Sequence, residues 1–358
     1  MEISSNEPKI ALTLSSICKR TIHLKKQSDE ESNNATSEYI QILKKLSAGA
    51  SIKEEKDEYI YTPGTINGGE LSFQCVHNTI PDVIIALLPL VPFCRIPIRL
   101  TLKGTTNKKE FTSIDMVRAM YCKILSQFGV VAEVKIITRA LYPSTNGEVL
   151  FMAETATSLS PVILSHREEL RRIIGINYSA KINSDTVHTV SNVARGHLSQ
   201  ISSSVKIYND IGNSKTTSGT PGQGSVLLAF GHNSIYGVEY TVDGTDSLVE
   251  VTAEERINKL VQVFYKNIRS SGSYSHTVQY FIFILLSLTT VDASSVIIRR
   301  ISQKDKEVLL LLEKIMKYTY TVEPYIKTEK DINSGIPDNL LVIKSCGVGY
   351  TNIFKPIQ

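Results

Sequence analysis

Two glycine-rich tracts are the places in this 358-residue chain where backbone could cradle an anion. In YTPGTINGGE, Pro63-Gly64 and Gly68-Gly69 permit two sharp turns and leave N–H donors open to a phosphate. In SGTPGQG, Pro221 and Gly222 offer a second such turn. Neither ends in the GK[ST] of a P-loop or has the spacing of a dinucleotide fingerprint, so on residue types alone a plain turn is the default. Basic side chains recur nearby in LKGTTNKKE, where Lys103, Lys108 and Lys109 could meet phosphates. Arg167, Arg171 and Arg172 form another basic cluster, and Arg299 and Arg300 with Lys304 and Lys306 a third. Each could equally be a solvated face. Nucleophile chemistry is thin. There is no GxSxG elbow, no HExxH, no Cys beside a His and no carboxylate tract at metal spacing. His276, in SYSHTVQY, and His77, in CVHNTIPD, sit at helix starts, where a capping or surface role is the simpler reading.

Composition narrows the classes. With 39 Lys+Arg against 35 Asp+Glu the net charge is +4, too mild for a polybasic arm, and 42% hydrophobic residues fit a folded chain. The five cysteines lie far apart with no CxxC pair, which argues against structural zinc and for a reducing compartment. The longest apolar run, Tyr280 to Leu288, is far short of the ~20 residues a membrane helix needs. MEISSNEPKI lacks a signal-peptide layout, so the expectation is an intracellular chain, cytosolic or nuclear.

The elements that must carry these turns alternate between helix and strand. Residues 80–91 read as a helix and 95–103 as a strand. Ile114, Val117, Tyr121, Ile124, Leu125 and Phe128 keep helical spacing, with Gly129 as the stop. The β-branched run VVAEVKIITRA reads as a strand, and LYPSTNGEVLF as a turn and another. Later, Ile257, Leu260, Val261, Phe264 and Ile268 form one stripe on a helix opened by Thr252, Glu254 and Glu255. A helix at 276–288, a strand at 295–300, a helix at 305–317 and a strand with a glycine-rich turn in NLLVIKSCGVGYTN follow. The fold class expected is α/β, with sheets backed by paired helices. Residues 175–265 differ in character and read as a small inserted domain, leaving 1–174 and 266–358 as the body. The loop IGNSKTTSGTPGQG and the acidic stretch 27–38, QSDEESNNATSE, are expected to be exposed and mobile.

The order of the motifs is more specific than any one of them. YTPGTINGG, then an apolar helix ending ALLPLVPF, a strand into KGTT, LYPSTNGEV, TPGQG, Gln279 and the closing SCGVGYTN together resemble the RNA 3′-terminal phosphate cyclase superfamily, in its cyclase-like branch. The resemblance runs from about residue 58 to 354. It implies three repeats, each a four-stranded sheet backed by two helices, plus one inserted domain. It also places Pro63, Gly64, Gly68, Gly69, Tyr142, Pro143, Gly147, Pro221, Gly222 and Gln279 in a degenerate anion or nucleotide pocket.

The branch is expected to be non-catalytic. True cyclases of the family take AMP from ATP on a late histidine, and here no histidine follows His276. Residues 4–10, SSNEPKI, stand where the family has a Gly-Gly-Gly-Gln tract, and Val278 where an acidic neighbour of Gln279 would fall. In the third motif, Ser144-Thr145-Asn146 replaces glycines. The resemblance therefore implies a nucleolar ribosome-biogenesis factor, with no catalytic residue, no cofactor and no metal. It would serve early pre-rRNA cleavage in the small-subunit processome, as a monomer bound to a large GTPase, pre-rRNA and snoRNP components, without a membrane. Lys103, Lys108, Lys109, Arg299 and Arg300 are the candidate RNA-phosphate contacts. The alternatives are an RNA-end-processing enzyme (a 3′-phosphate cyclase or a pre-rRNA endonuclease), with His276 as its relocated nucleophile, and a small-molecule transferase.

Overall fold

The computed structural model describes residues 1–213, 215–246 and 251–355, so Ser214 of the Gly/Ser/Thr-rich loop lies outside them. One strand order recurs three times. In the first repeat, β1 (Glu2–Ile3), α1 (Pro8–Cys18), β2 (Ile22–Lys25), α2 (Glu30–Leu46), β3 (Ser51–Glu54) and β4 (Glu58–Thr62) build a sheet ordered β1-β2-β4-β3. The second uses β5 (Gly69–Gln74), α3 (Ile80–Leu87), β6 (Ile98–Gly104), α4 (Ile114–Met116) running through a π turn (Val117–Tyr121) into α5 (Cys122–Gln127), β7 (Ala132–Leu141) and β8 (Gly147–Ala153). Its order is β5-β6-β8-β7.

The third repeat opens with β9 (Ile163–Leu164) and is then interrupted. The interruption comprises β10 (Arg172–Ala180), α6 (Ser184–Leu198), β11 (Val205–Gly212), β12 (Thr217–Gly219), β13 (Gly222–Phe230), β14 (Ile235–Val242) and α7 (Ala253–Ser270). After it come α8 (Gln279–Leu288), β15 (Ala293–Arg299), α9 (Gln303–Met316), β16 (Tyr320–Pro324), α10 (Glu329–Asn333) and β17 (Leu340–Cys346), giving the sheet β9-β15-β17-β16. In every repeat the first two strands are parallel, which requires the helical crossover between them, and the last two form an antiparallel hairpin. The inserted sheet is ordered differently, β11-β10-β13-β14. It also lends β12 to β7, so the second sheet has five strands rather than four.

Two sequence expectations are corrected. Residues 27–38 are not a loop: α2 begins at Glu30, with the Asp29 carboxylate accepting from Ser32 N at 2.9 Å. The Asn/Ser-rich composition hid the buried stripe Thr36, Tyr39, Ile40, Leu43, Leu46, which anchors the helix at about 1.5–3 kcal/mol for each large side chain. The TPGQG tract is a solvated loop only as far as Pro221, which is exposed. Gly222 is buried at the head of β13, a nine-residue strand buried throughout, because it lies between two other strands of the inserted sheet. The α7 signature is present as a full capping box, Thr252 Oγ1 accepting from Glu255 N and the Glu255 carboxylate from Thr252 N.

Tyr142-Pro143, joined by a cis peptide, start the β7–β8 connection, and Gly147 is the first residue of β8. At Gly64 a Cβ would lie 2.1 Å from the Ala48 carbonyl oxygen, and at Gly68, with φ +78°, 2.2 Å from that of Ile96. Both glycines are fixed by backbone contact, with Thr65–Ile66 paired to Ser47–Ala48.

Candidate functional site

The first helix of each repeat, α1, α3 and α8, lines one central cavity of about 300 Å³. Its polar groups come from the helix starts: Glu7 and Lys9 before and in α1, Asp82 in α3, Glu110 ahead of α4, and Lys304 in the first turn of α9. The Lys304 ammonium lies 4.1 Å above the Tyr280 ring and 3.2 Å from Glu7 Oε1. Tyr280 meets Tyr121, oxygen to oxygen, at 3.3 Å, and burial pushes its hydroxyl well above the usual phenol range.

A second pocket, about 370 Å³, adjoins the first through Lys9, Asp82 and Phe111. There Lys9 Nζ donates to Asn78 Oδ1 at 2.6 Å, and Lys108 Nζ stands between the rings of Phe111 (4.4 Å) and Tyr142 (4.6 Å). Lys108 has no ion-pair partner among the described residues. The nest of backbone donors between β5 and α3 is already filled. The Glu38 carboxylate accepts from Val76 N (2.6 Å), His77 N (3.2 Å), Asn78 N (2.9 Å) and Asn78 Nδ2 (2.8 Å). The groove thus sets Lys108 and Lys304 beside aromatic faces, with Lys9 and five carboxylates, Glu7, Asp29, Glu31, Asp82 and Glu110, in the same lining, so its net charge does not favour a phosphate. Among its lining residues the one imidazole is His77, at the edge of the second pocket, and there is no cysteine.

The sequence-predicted residues divide between places. Tyr142, Pro143, Pro221 and Gly222 come together: Thr220 Oγ1 donates to Leu141 O at 3.0 Å, and Gly244 N to Tyr142 O at 2.9 Å. Lys108 reaches this corner through Tyr142. Lys109 ties the insert down, its N–H donating to Asp243 Oδ2 (2.8 Å) and its Nζ to Asp246 Oδ1 (2.6 Å). Lys103 lies on β6, 3.8 Å from Glu148. Pro63, Gly64, Gly68 and Gly69 stay with their own backbone contacts between the first two repeats. Gln279 is buried, and its amide is spent inside the third repeat. It accepts from Arg299 N (2.9 Å) and donates to Arg299 O (3.2 Å) and Asp305 Oδ2 (3.1 Å). Arg300 is exposed at the end of β15, next to half-buried Arg299. His276 retains an exposed edge, with Nδ1 3.3 Å from Asn267 Nδ2. Partial burial, then the Arg299 charge, hold it below the usual imidazole value.

The closing motif acts as a staple. Asn352 Nδ2 donates to Pro92 O (3.0 Å) and Cys94 O (2.9 Å), so SCGVGYTN clasps ALLPLVPF. Tyr350 packs edge-on against Phe93 at 4.7 Å and donates its hydroxyl to Ile17 O, reaching the first repeat as well.

Sequence reasoning missed the strongest polar cluster. Arg139 on β7 is 2% exposed and forks onto Asp115 (Nη1–Oδ2 2.5 Å, Nη2–Oδ1 3.1 Å), with Nη2 also 2.6 Å from Asp210 Oδ2 on β11. Asn107 Oδ1 accepts from Nη1 at 3.1 Å and the Tyr178 ring lies 4.4 Å away. Asp115 is fully buried; its carboxyl would rise by burial, but the guanidinium holds it below the usual range. Beside it, the Glu239 carboxylate of β14 accepts from Ser113 N (3.2 Å) and Ser113 Oγ. Burial raises Glu239 to about 7 against the pull of those bonds. The only sequence signal was a lone Arg inside a β-branched strand. These contacts, with the Lys109 pair, fix the insert to the second repeat.

No helix among the described residues is long and apolar enough to cross a membrane, and no three His, Cys, Asp or Glu among them group to hold a metal. The chain is similar to the RNA 3′-terminal phosphate cyclase-like protein of Mus musculus, at 26% identity over 97% of this chain and 95% of that protein. It is likewise similar to rRNA processing protein rcl1 of Schizosaccharomyces pombe, at 26% identity over 89% of this chain and 86% of that one. A solved EPSP synthase from Acinetobacter baumannii aligns with 98% of this chain and 64% of its own at 10% identity and a TM-score of 0.27, too slight a likeness to argue from. The profile of RNA 3′-terminal phosphate cyclase matches residues 8–322, and the chain belongs to that family.

Proposed function

We propose that this chain is an rRNA-processing factor that works by binding, not by transferring a nucleotide to itself. The observation that carries the reading is the fate of the family's pocket. Gln279 is consumed by Arg299 and Asp305, Lys304 and Tyr280 stand in the central cavity, and no histidine follows residue 276 to take a phosphoramidate. The similarity to a protein named for rRNA processing, over most of both chains, supports the choice of RNA. The immobilised insert fits a scaffold better than an enzyme that must open and close around ATP.

In this reading the protein serves early pre-rRNA cleavage for the small subunit, in the nucleolus, as a monomer within a processome assembly. A large GTPase is its stable partner, and Lys103, Lys108, Lys109, Arg299 and Arg300 are candidate phosphate contacts. Tagged purification from the native cell tests it. Recovery of a large GTPase with pre-rRNA and snoRNA supports the reading; a protein recovered alone removes it. The rival reading as a 3′-phosphate cyclase using His276 expects protein-bound label from α-labelled ATP that His276→Ala abolishes. Absence of label in both proteins disposes of it.

A further inference from the structure

We propose that the cleft between the insert and the second repeat is a docking site for an extended, acidic peptide segment of a partner protein, which adds as a strand to the outer edge of β7. A cavity of about 760 Å³ lies here, away from the central groove. One of its sides is a sheet edge. β7 pairs with β8 along 132–138, but on its other side it carries only β12, opposite 139–141. Among the described residues no backbone hydrogen bond leaves 132–138 on that side, while the next residue, Arg139, donates its N–H to Thr216 O at 2.8 Å. The edge therefore already takes a strand where the insert supplies one, and stands open over the seven residues before it. Such a row of unpaired donors and acceptors is completed by another extended chain.

The walls and rim state what that chain should be. Ile136, Ile137, Ile174, Ile176 and Leu228 line the cleft, and a strand added to the edge turns every second side chain toward such a wall, so those of the occupant are expected to be apolar. Ile137 is 41% exposed and Val131 64%, a cost that a bound strand would remove. The cations lining the cleft are Arg118, Lys123, Arg139 and Arg172; Arg139 is bound to Asp115 and Asp210, and Arg118 to Asp115, so Lys123 and Arg172 carry the charge without an ion-pair partner among the described residues. The net charge left at the rim is positive and calls for acidic flanks. An RNA strand would also meet the cations, but aliphatic walls offer its bases little to stack on and the open edge would stay unpaired.

The test selects binders to the full-length chain from a phage-displayed library of random nonapeptides, with a twelve-residue oligouridine as the nucleic-acid probe. The expected peptides alternate apolar residues between Asp or Glu, and they slow amide hydrogen exchange in residues 132–138. The surface pair Lys123→Glu/Arg172→Glu weakens them by about tenfold or more while leaving the unfolding midpoint in place. Failure to select any peptide, selection of basic ones, protection elsewhere in the chain, or indifference to the charge reversal overturns the proposal. So does oligouridine protecting the cleft and excluding the peptides, which would assign it to nucleic acid.

Discussion

Replacing Arg139 by Met should be among the most destabilising single changes in the protein. The guanidinium makes two hydrogen bonds to Asp115, one to Asp210 and one to Asn107, and Asp115 has no exposed surface. The variant keeps most of the side-chain volume but leaves a buried carboxylate whose remaining ionic partner, Arg118, sits half-exposed at 3.2 Å. Breaking a buried pair from one side costs about 3–5 kcal/mol. With an unfolding entropy of about 2.1 cal/mol/K per residue, a chain of this length melting as one unit loses roughly 4–7 °C in Tm. The double variant Arg139→Met/Asp115→Leu should recover a large part of this, because it removes the orphaned charge with its partner. Urea unfolding of the four proteins of that cycle is the assay. Acid provides a second reading. The Asp115 carboxyl is depressed in the folded state, so its contribution is present at neutral pH and is lost as pH falls below about 4, through the folded value. A loss under about 1 kcal/mol in the single variant, or additive single changes, would refute the claim that this pair locks the insert to the body.

The other expectations begin with a second group at the same contact. Glu239 titrates the opposite way: its carboxyl is raised to about 7, so its contribution is full below about pH 4.5 and falls away as pH rises through 7. Unfolding measured at pH 5 and pH 8 should show Glu239→Gln losing at most about 3 kcal/mol less than the parent over that interval; equal slopes would contradict it. Gln279→Leu should cost about 1–3 kcal/mol by leaving Arg299 N and Asp305 short of a partner, with RNA affinity by filter binding unchanged. Gly64→Ala should lower stability by roughly 2 kcal/mol or more in chemical denaturation, since the new methyl meets the Ala48 carbonyl. Arg299→Glu/Arg300→Glu should weaken pre-rRNA binding and flatten its dependence on salt by about one to two phosphate contacts.

Much of the architecture was legible because it rests on local patterns. The Thr252 cap, the stripe from Ile257 to Ile268 and the Gly129 stop each follow from helical chemistry that needs no tertiary partner. α2 was not legible, because Asn and Ser dominate its first turns and its stripe from Thr36 to Leu46 begins late. On residue types the glycine tracts read as plain turns that could also cradle an anion, whereas Gly64 and Gly68 answer to backbone neighbours that the sequence does not place beside them. The same holds for the central groove. Lys9, Lys108 and Lys304 are distant in sequence, and the fold sets them in the linings of two adjoining pockets. Arg139, Asp115 and Asp210 come from three segments, two in the body and one in the insert, so no spacing rule could have joined them.

The central claim is that this chain serves rRNA processing without nucleotide transfer. Its most direct test is conditional depletion in the native cell, with rescue by the wild type or by His276→Ala, and Northern analysis of pre-rRNA. The account predicts accumulation of uncut precursor with loss of small-subunit rRNA, large-subunit rRNA maintained, and full rescue by both proteins. An unchanged precursor pattern on depletion, or rescue by the wild type alone, would contradict it.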